Sequence, residues 1–228
     1  MKHLVISRLA INGINVSTTG IWSEWLENSI SLMDKFCRPS LKNQSNQNFT
    51  LLSIVDNSVF DVGNKLDNEV IIKINPSHNK YPRTEIIDGI NNYIRESGCD
   101  SCIITRLDRD DCMRYDFVNN IQKHFYDRKE KYIDIRNCHN YDVKTKKIYE
   151  MKLYKNNFVS PFVSTYEKVK DNKIECIPYK YNHPNISKYM TGNKVDDLYS
   201  LQVIHGNNFS NKINGINVSN INLEDYGI

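Results

Sequence analysis

The sequence lacks the long apolar runs and the strong charge that would indicate a membrane or nucleic-acid protein. No hydrophobic segment reaches the roughly 20 residues that a membrane-spanning helix needs, and Arg8 interrupts the apolar start before a secretion signal could form. The formal net charge is only +3, with a pI near 8.4, which is too mild to indicate nucleic-acid binding. We therefore expect a soluble, cytoplasmic protein with no transmembrane segment and no nucleic-acid partner.

The cysteines lack the spacing of a complete metal or disulfide framework. Six are present, and Cys99 and Cys102 stand in a Cys-x-x-Cys arrangement, but no second pair follows at a zinc spacing and no βαβ start precedes them. In an intracellular chain such cysteines are expected to be reduced thiols. A chain of 228 residues is long enough for one α/β domain with a sizeable core.

The strongest chemical signal that is present is a buried strand followed by an acidic turn. Residues 101–107 are short, apolar and β-branched, which is typical of a buried strand, and Asp108, Asp110 and Asp111 follow directly. Neighbouring anions repel one another unless a cation lies among them, and oxygen ligands favour Mg²⁺ or Mn²⁺. The turn is a candidate metal site. The alternative is that Asp110 or Asp111 caps the helix predicted over 115–125.

Strands and helices alternate along the first half of the chain. The apolar periodicity predicts strands over 3–7, 49–55, 70–74 and 101–107, and helices over 22–36, 39–44, 83–95 and 115–125. This order predicts a doubly wound α/β sheet. The second half is less regular: we expect strands over 132–135, 148–154, 174–177 and 198–204, a polar hairpin or loop over 137–147, and a loop-like tail.

Two further strand ends carry polar side chains. Arg8 follows the first predicted strand and Asp56 ends the second. Because α/β sheets bind ligands at the carboxyl ends of their strands, Arg8 is a candidate contact for a phosphate or a base, and Asp56 for a nucleoside. For Arg8 an ordinary surface salt bridge is an equally good interpretation. The heptapeptide Ile-Asn-Gly-Ile-Asn-Val-Ser at 11–17 recurs at 213–219, without any wider repeat.

Several motifs, taken together and in order, resemble GT-A-type glycosyltransferases. Residues 39–56 look like the nucleotide-binding start of that group, 105–111 like its Asp-x-Asp motif in the form seen in candidate rhamnosyltransferases, and 161–164 with 201–208 like its later motifs. The chain also resembles small glycosyltransferase domains of large DNA viruses, which make viral glycans and would act in the host cytoplasm. The resemblance spans nearly the whole chain.

The resemblance implies a GT-A-like single domain with a Rossmann-type mixed sheet flanked by helices. Residues of about 1–125 would form the nucleotide-sugar half, and about 126–228 a smaller, irregular β region on the acceptor side. The implied activity is that of a metal-dependent, inverting glycosyltransferase that uses Mn²⁺ or Mg²⁺. It would move a sugar, L-rhamnose first and glucose next, from a UDP- or dTDP-linked donor to a glycan acceptor. The alternative is an inactive domain of the same fold that binds a nucleotide sugar or a glycan. A phosphohydrolase is disfavoured because its aspartate normally follows the first strand.

The resemblance also assigns donor-binding roles to particular residues. Asp56 would contact the nucleoside, and Arg8 would lie near the base or the diphosphate. Arg106 would help to neutralise the diphosphate, and Asp108 would lie by the ribose or the metal.

The remaining implied roles concern the metal and the acceptor. Asp110 would be the most direct metal ligand, joined by His205 and by Asp108, while Arg109 between the aspartates departs from the commoner motif. An inverting reaction also needs a carboxylate general base, for which we expect Glu167. Other candidates for the base are Asp142, Asp196 and Asp197.

Overall fold

The computed structural model describes residues 1–11, 22–76, 81–127, 131–151, 159–206, 213 and 215–228. The strands are β1 (Lys2–Ala10), β2 (Thr50–Asp56), β3 (Glu69–Ile74), β4 (Ser101–Arg106), β5 (Cys112–Met113), β6 (Tyr132–Asp142), β7 (Lys147–Glu150), β8 (Val163–Lys168), β9 (Gly192–Ile204) and β10 (Ile216–Val218). The helices are α1 (Trp22–Leu32), α2 (Arg38–Lys42), α3 (Arg83–Ser97), α4 (Phe117–Asp127) and α5 (Ile177–Lys180), with a π-helical segment (Met33–Cys37) and two 3₁₀ segments (His183–Lys188 and Leu223–Tyr226).

A mixed β-sheet organises the fold. Strands β1 to β4 are parallel, in the order β3-β2-β1-β4, with β1 in the centre. Beyond β4 the sheet continues through β8, β6, β7 and β10, each antiparallel to the strand before it, while β9 runs parallel to β6. Because β1, β2 and β4 run in the same direction, the side chains that follow them meet at one edge of the sheet.

The parallel strands are covered on both faces. In β1, Val5 packs in the cluster that includes Met33 and Phe117, while the next residue, Ile6, packs in the cluster that includes Ile90 of α3. Successive strand residues point to opposite faces, so a strand covered on both sides reads as a continuous apolar run. This packing explains why the sequence signals of β1, β2 and β4 are strong.

The expected α/β architecture, a mixed sheet flanked by helices, is confirmed. The second half differs in detail. Residues 137–147, expected as a polar hairpin or loop, form a hairpin, because β6 continues to Asp142 and pairs antiparallel with β7. The strand β6 also pairs with β9, which buries His139 and Asn140. The strand expected over 174–177 is wrong, since Ile177 starts helix α5 with Pro178 in its first turn. The tail contains β10. Most of the first copy of the heptapeptide lies outside the described residues.

Within the described ranges, the helices are too short or too polar to span a lipid bilayer.

A buried ion pair joins the helical segment after α1 to the sheet. Arg38 is 2% exposed, and its Nε and Nη2 donate to the Glu69 carboxylate at 2.9 and 2.7 Å. Its Nη1 reaches Asp34 at 2.5 Å, and the Ser53 hydroxyl donates to Glu69 at 2.6 Å. The pair therefore satisfies both buried charges with directed hydrogen bonds, and it holds α2 against β2 and β3.

Candidate active site

Asp108 lies between two arginines at the carboxyl edge of the sheet. Arg8 Nη2 donates to its Oδ1 at 2.5 Å, and Arg106 Nη2 donates to its Oδ2 at 2.9 Å. The backbone N–H of Leu107 donates to the carbonyl of Ile6, which ties the turn to the end of β1. The three residues singled out from the sequence on β1 and on the turn are thus brought together by the pairing of β1 with β4.

The charge balance of this cluster favours an ionised aspartate. Burial alone would raise the pKa of Asp108, but the Arg106 and Arg8 guanidiniums outweigh it and hold that pKa well below its usual range. Both carboxylate oxygens of Asp108 are engaged by arginines. A metal-ligand role for Asp108 would therefore require it to release one of them.

Asp110 and Asp111 have different surroundings although they are adjacent. Asp110 Oδ2 lies 3.0 Å from His205 Nε2, which follows the end of β9. Asp111 is 2% exposed, and its Oδ1 accepts the backbone N–H of Val203 at 3.1 Å. Burial and the neighbouring charge of Asp110 raise the pKa of Asp111. Asp111 therefore anchors the turn to β9, and Asp110 meets His205 as the sequence motifs implied.

Arg109, the unusual residue of the motif, points towards helix α1. Its guanidinium lies over the Trp25 ring, 4.9 Å from the ring centroid, which is a cation–π geometry. Trp25 is buried in the core. Among the described residues, the buried Nε atoms of both Arg109 and Arg8 lack a hydrogen-bond partner. Buried donors normally find an acceptor, so both are suited to an incoming anion.

Asp56 ends β2 at the same edge, as expected. Its Oδ1 accepts hydrogen bonds from the backbone N–H and the hydroxyl of Ser58, at 2.8 and 2.7 Å. Tyr81 was not among the residues expected at the site, yet its hydroxyl accepts a hydrogen bond from Arg8 Nη1 at 3.2 Å. Only its place before Pro82, at the start of a helix, could have drawn attention to Tyr81.

Glu167 is not brought to this edge. Glu167 on β8 is paired with Cys102 on β4. Cys102 lies four residues before Arg106, the last residue of β4, so Glu167 is about 13 Å along the strand from the site. Its carboxylate accepts the backbone N–H groups of Cys176 and Ile177 at 2.7 and 2.8 Å. The geometry argues against Glu167 as the general base and assigns it the structural task of holding the start of α5.

Replacement of Glu167 by glutamine should therefore affect stability rather than chemistry. The amide presents a donor where two backbone N–H groups need acceptors, so we expect a loss of about 1–3 kcal/mol in unfolding free energy. Urea denaturation measures this loss. If the variant kept the wild-type free energy of unfolding but lost most of the sugar-transfer rate, Glu167 would again be the candidate for the general base.

Two of the other three acidic candidates for the base, Asp142 and Asp197, also have local roles. Asp142 caps the β6–β7 turn by accepting from the Lys144 N–H and the Thr145 hydroxyl. Asp197 pairs with His124 of α4, and it lies six residues before Val203 on β9, remote from the acidic turn. Asp196 precedes it on the same strand.

The donor set of Asp110 and His205 fits a divalent cation that also binds substrate. Within the described ranges, no group of three or more His, Cys, Asp or Glu side chains lies close enough to hold a metal by itself. A carboxylate oxygen and an imidazole nitrogen already 3.0 Å apart are two ligands, and Mg²⁺-type sites commonly complete their coordination with substrate phosphates and water.

One protein-family profile matches most of the chain. The profile described as "Putative rhamnosyl transferase" matches residues 20–217, which include Asp56, the acidic turn and His205. No curated protein matches the chain.

Among solved structures, S. aureus TarS is 10% identical with a TM-score of 0.46, covering 90% of this chain and 37% of TarS. TarS 1–349 in complex with UDP-GlcNAc is 12% identical with a TM-score of 0.49, covering 90% and 59%. A protein from STIV is 8% identical with a TM-score of 0.40, covering 90% and 87%. The chain thus spans less than two thirds of the TarS chains. Because the family profile matches most of its length, the chain belongs to the family described as "Putative rhamnosyl transferase".

Proposed function

We propose that the protein transfers a sugar from a nucleotide-diphosphate donor to a glycan acceptor, with a divalent metal and inversion at the anomeric carbon. L-Rhamnose is the first choice of sugar and glucose the second, carried by UDP or dTDP. Residues of about 1–125 would bind the donor, and about 126–228 would face the acceptor. The observation that carries the proposal is the meeting of an arginine pair, an acidic turn and a late histidine at one sheet edge.

The arginines provide the charge that a diphosphate needs. Arg8 and Arg106 flank Asp108, and the Nε atoms of Arg8 and Arg109 are buried donors that lack an acceptor among the described side chains. Charge-assisted hydrogen bonds from guanidinium to phosphate are among the stronger polar contacts in proteins. Asp108 would keep Arg8 and Arg106 in position, while Asp56 at the neighbouring strand end would accept a hydrogen bond from the nucleoside.

Asp110 and His205 would hold the metal, with Mn²⁺ or Mg²⁺ as the candidates. When bound, such a cation stabilises the negative charge that grows on a departing diphosphate. Arg8 and Arg106 would act on the same charge from the protein side, and they are fixed before the reaction by Asp108, so little reorganisation is needed.

The alternative function is a binder of the same fold that holds a nucleotide sugar or a glycan without turnover. The same arginines and carboxylates would serve that role, so donor binding alone does not separate the two functions. Release of UDP from a UDP-sugar in the presence of acceptor does.

Calorimetric titration with UDP, with and without Mn²⁺, tests the donor site. We expect binding that is much tighter with the metal present. Failure of UDP, dTDP and GDP to bind with Mn²⁺ present would contradict the proposed function. The acidic turn would then be a structural turn only.

Arg8 should be needed for donor affinity. Replacement of Arg8 by alanine removes charge-assisted hydrogen bonds worth about 1.5–3 kcal/mol, so the Kd for UDP should rise about 10- to 100-fold. Arg95, exposed near the end of α3 at the amino edge of the sheet, is the matched control: Arg95→Ala should leave the Kd unchanged. An Arg8→Ala protein that binds UDP as tightly as wild type would remove Arg8 from the donor site.

A further inference from the structure

Helix α5 and the residues after it are fixed beside the central strand β1 by two hydrogen bonds. The Tyr179 hydroxyl donates to the carbonyl of Ile6 at 2.8 Å, the same carbonyl that accepts the N–H of Leu107. Asn182, three residues after Tyr179, accepts a hydrogen bond through its side-chain oxygen from Arg83, at the start of α3, at 3.2 Å. Ile6 pairs with Arg106, the last residue of β4. This segment is therefore held beside the end of β4 and the start of the acidic turn.

His183 is the next residue, and its tautomer follows from its partner. Its Nδ1 lies 2.8 Å from the backbone carbonyl of Val159. A carbonyl oxygen can only accept, so Nδ1 must carry the hydrogen. In the neutral ring, the lone pair then resides on Nε2, which is the atom that can accept a proton.

The surroundings of His183 keep the ring neutral. Burial lowers its pKa to about 4, and the positive charges of Arg106 and Arg8 act in the same direction, against the opposing effects of the Val159 hydrogen bond and Asp108. A chain of contacts links this segment to the cluster proposed to bind the diphosphate. Arg83, which donates to Asn182, lies 5.8 Å from the centroid of the Tyr81 ring, and the Tyr81 hydroxyl accepts from Arg8. The neutral ring therefore has Nε2 ready to accept a proton.

We propose that His183 is the general base that removes the proton from the attacking hydroxyl of the acceptor. The inference rests on the proposed function. In the step, the acceptor O–H proton passes to His183 Nε2 while the oxygen lone pair forms a bond to the anomeric carbon. The bond from that carbon to the diphosphate oxygen breaks, and its electron pair leaves with the nucleoside diphosphate. A single displacement of this kind inverts the configuration, as proposed above.

An aromatic pair beside His183 suits a sugar acceptor. Tyr181 and Tyr189 stack with ring centroids 3.8 Å apart and planes 11° apart, and Tyr189 is 57% exposed. Aromatic rings with one apolar face and a polar hydroxyl are common in carbohydrate-sized binding sites. Tyr181 comes two residues before His183 in the chain, and Tyr189 comes six residues after it. A glycan that stacks on this tyrosine pair would therefore be held close to the proposed base.

The test uses His183→Asn, because the amide nitrogen of asparagine takes roughly the place of Nδ1 and keeps the Val159 hydrogen bond while Nε2 is lost. His183→Gln is the second variant if the first fails to fold. The readout is UDP or dTDP released from UDP-rhamnose, UDP-glucose and dTDP-rhamnose, each with a mixture of p-nitrophenyl monosaccharides as acceptors. UDP affinity is measured in parallel by calorimetry. His124→Asn, on α4, is the matched control.

We expect His183→Asn to lower the release rate about 100- to 10,000-fold, the usual contribution of a general base, with UDP affinity unchanged. Added imidazole should partly restore the rate of His183→Ala. A variant rate within threefold of wild type would overturn the proposal, and so would a parallel loss of UDP affinity, which would make His183 a donor-site residue.

The wild-type protein separates this proposal from the function on which it rests. Wild-type protein that binds no nucleotide contradicts the donor site itself. Wild-type protein that binds UDP but releases none from any donor supports the inactive binder and removes the role of His183 with it. Turnover by wild type and by His183→Asn alike leaves the proposed function intact and overturns the inference alone.

Discussion

Asp110→Ala is expected to lower sugar transfer about 1,000-fold or more and to abolish the effect of Mn²⁺ on UDP affinity. The variant removes one of the two side chains that meet at 3.0 Å at the end of β9. Loss of a metal that stabilises the leaving group raises the free energy of the transition state by several kcal/mol. An increase of about 4 kcal/mol lowers the rate about 1,000-fold. Calorimetry with and without Mn²⁺, together with a UDP-release assay, measures both effects.

The control for this prediction is Asp100→Ala. Asp100 is exposed and lies directly before the start of β4, whereas the acidic turn lies directly after the end of β4. The two substitutions therefore change the net charge equally but at opposite edges of the sheet. Asp100→Ala should match wild type in both assays. If Asp110→Ala kept its metal-dependent UDP binding, Asp110 would not be the metal ligand, and the contact with His205 would be a structural hydrogen bond.

Glu69→Gln is expected to destabilise the protein by about 3–5 kcal/mol. The substitution keeps the size of the side chain but leaves the charge of Arg38, 2% exposed, without its buried counter-ion. Breaking one partner of a buried pair is costly because the remaining charge stays desolvated. Denaturant unfolding followed by circular dichroism gives the free energy directly.

A surface pair supplies the comparison for Glu69. Lys180 and Glu175 are 2.8 Å apart with side chains 42% and 64% exposed, so solvent screens their attraction. Glu175→Gln should change the free energy of unfolding by less than about 1 kcal/mol. Equal effects of the two substitutions would show that Arg38 finds another partner when Glu69 is neutralised.

The sequence by itself determined the parallel half of the sheet and the residues that follow its strands. Strands β1, β2 and β4 are buried on both faces, so each one is a continuous apolar run that stands out from its surroundings. Asp56 is the last residue of β2 and Asp108 comes two residues after β4, whereas Arg8 lies inside β1, which continues past the predicted strand to Ala10. The ordered motifs also pointed to His205, which the fold brings to Asp110.

Only the tertiary structure decided where the polar residues of the second half lie relative to the sheet. Glu167 and His183 look alike in the sequence, as single titratable residues among polar neighbours. The β8–β4 register carries Glu167 away from the edge, whereas the hydrogen bond from Tyr179 to Ile6 brings the segment of His183 to it. The pairing of Arg38 with Glu69 spans 31 positions of the chain. Such contacts form between residues that are distant in the chain, so the local pattern of apolar residues does not predict them.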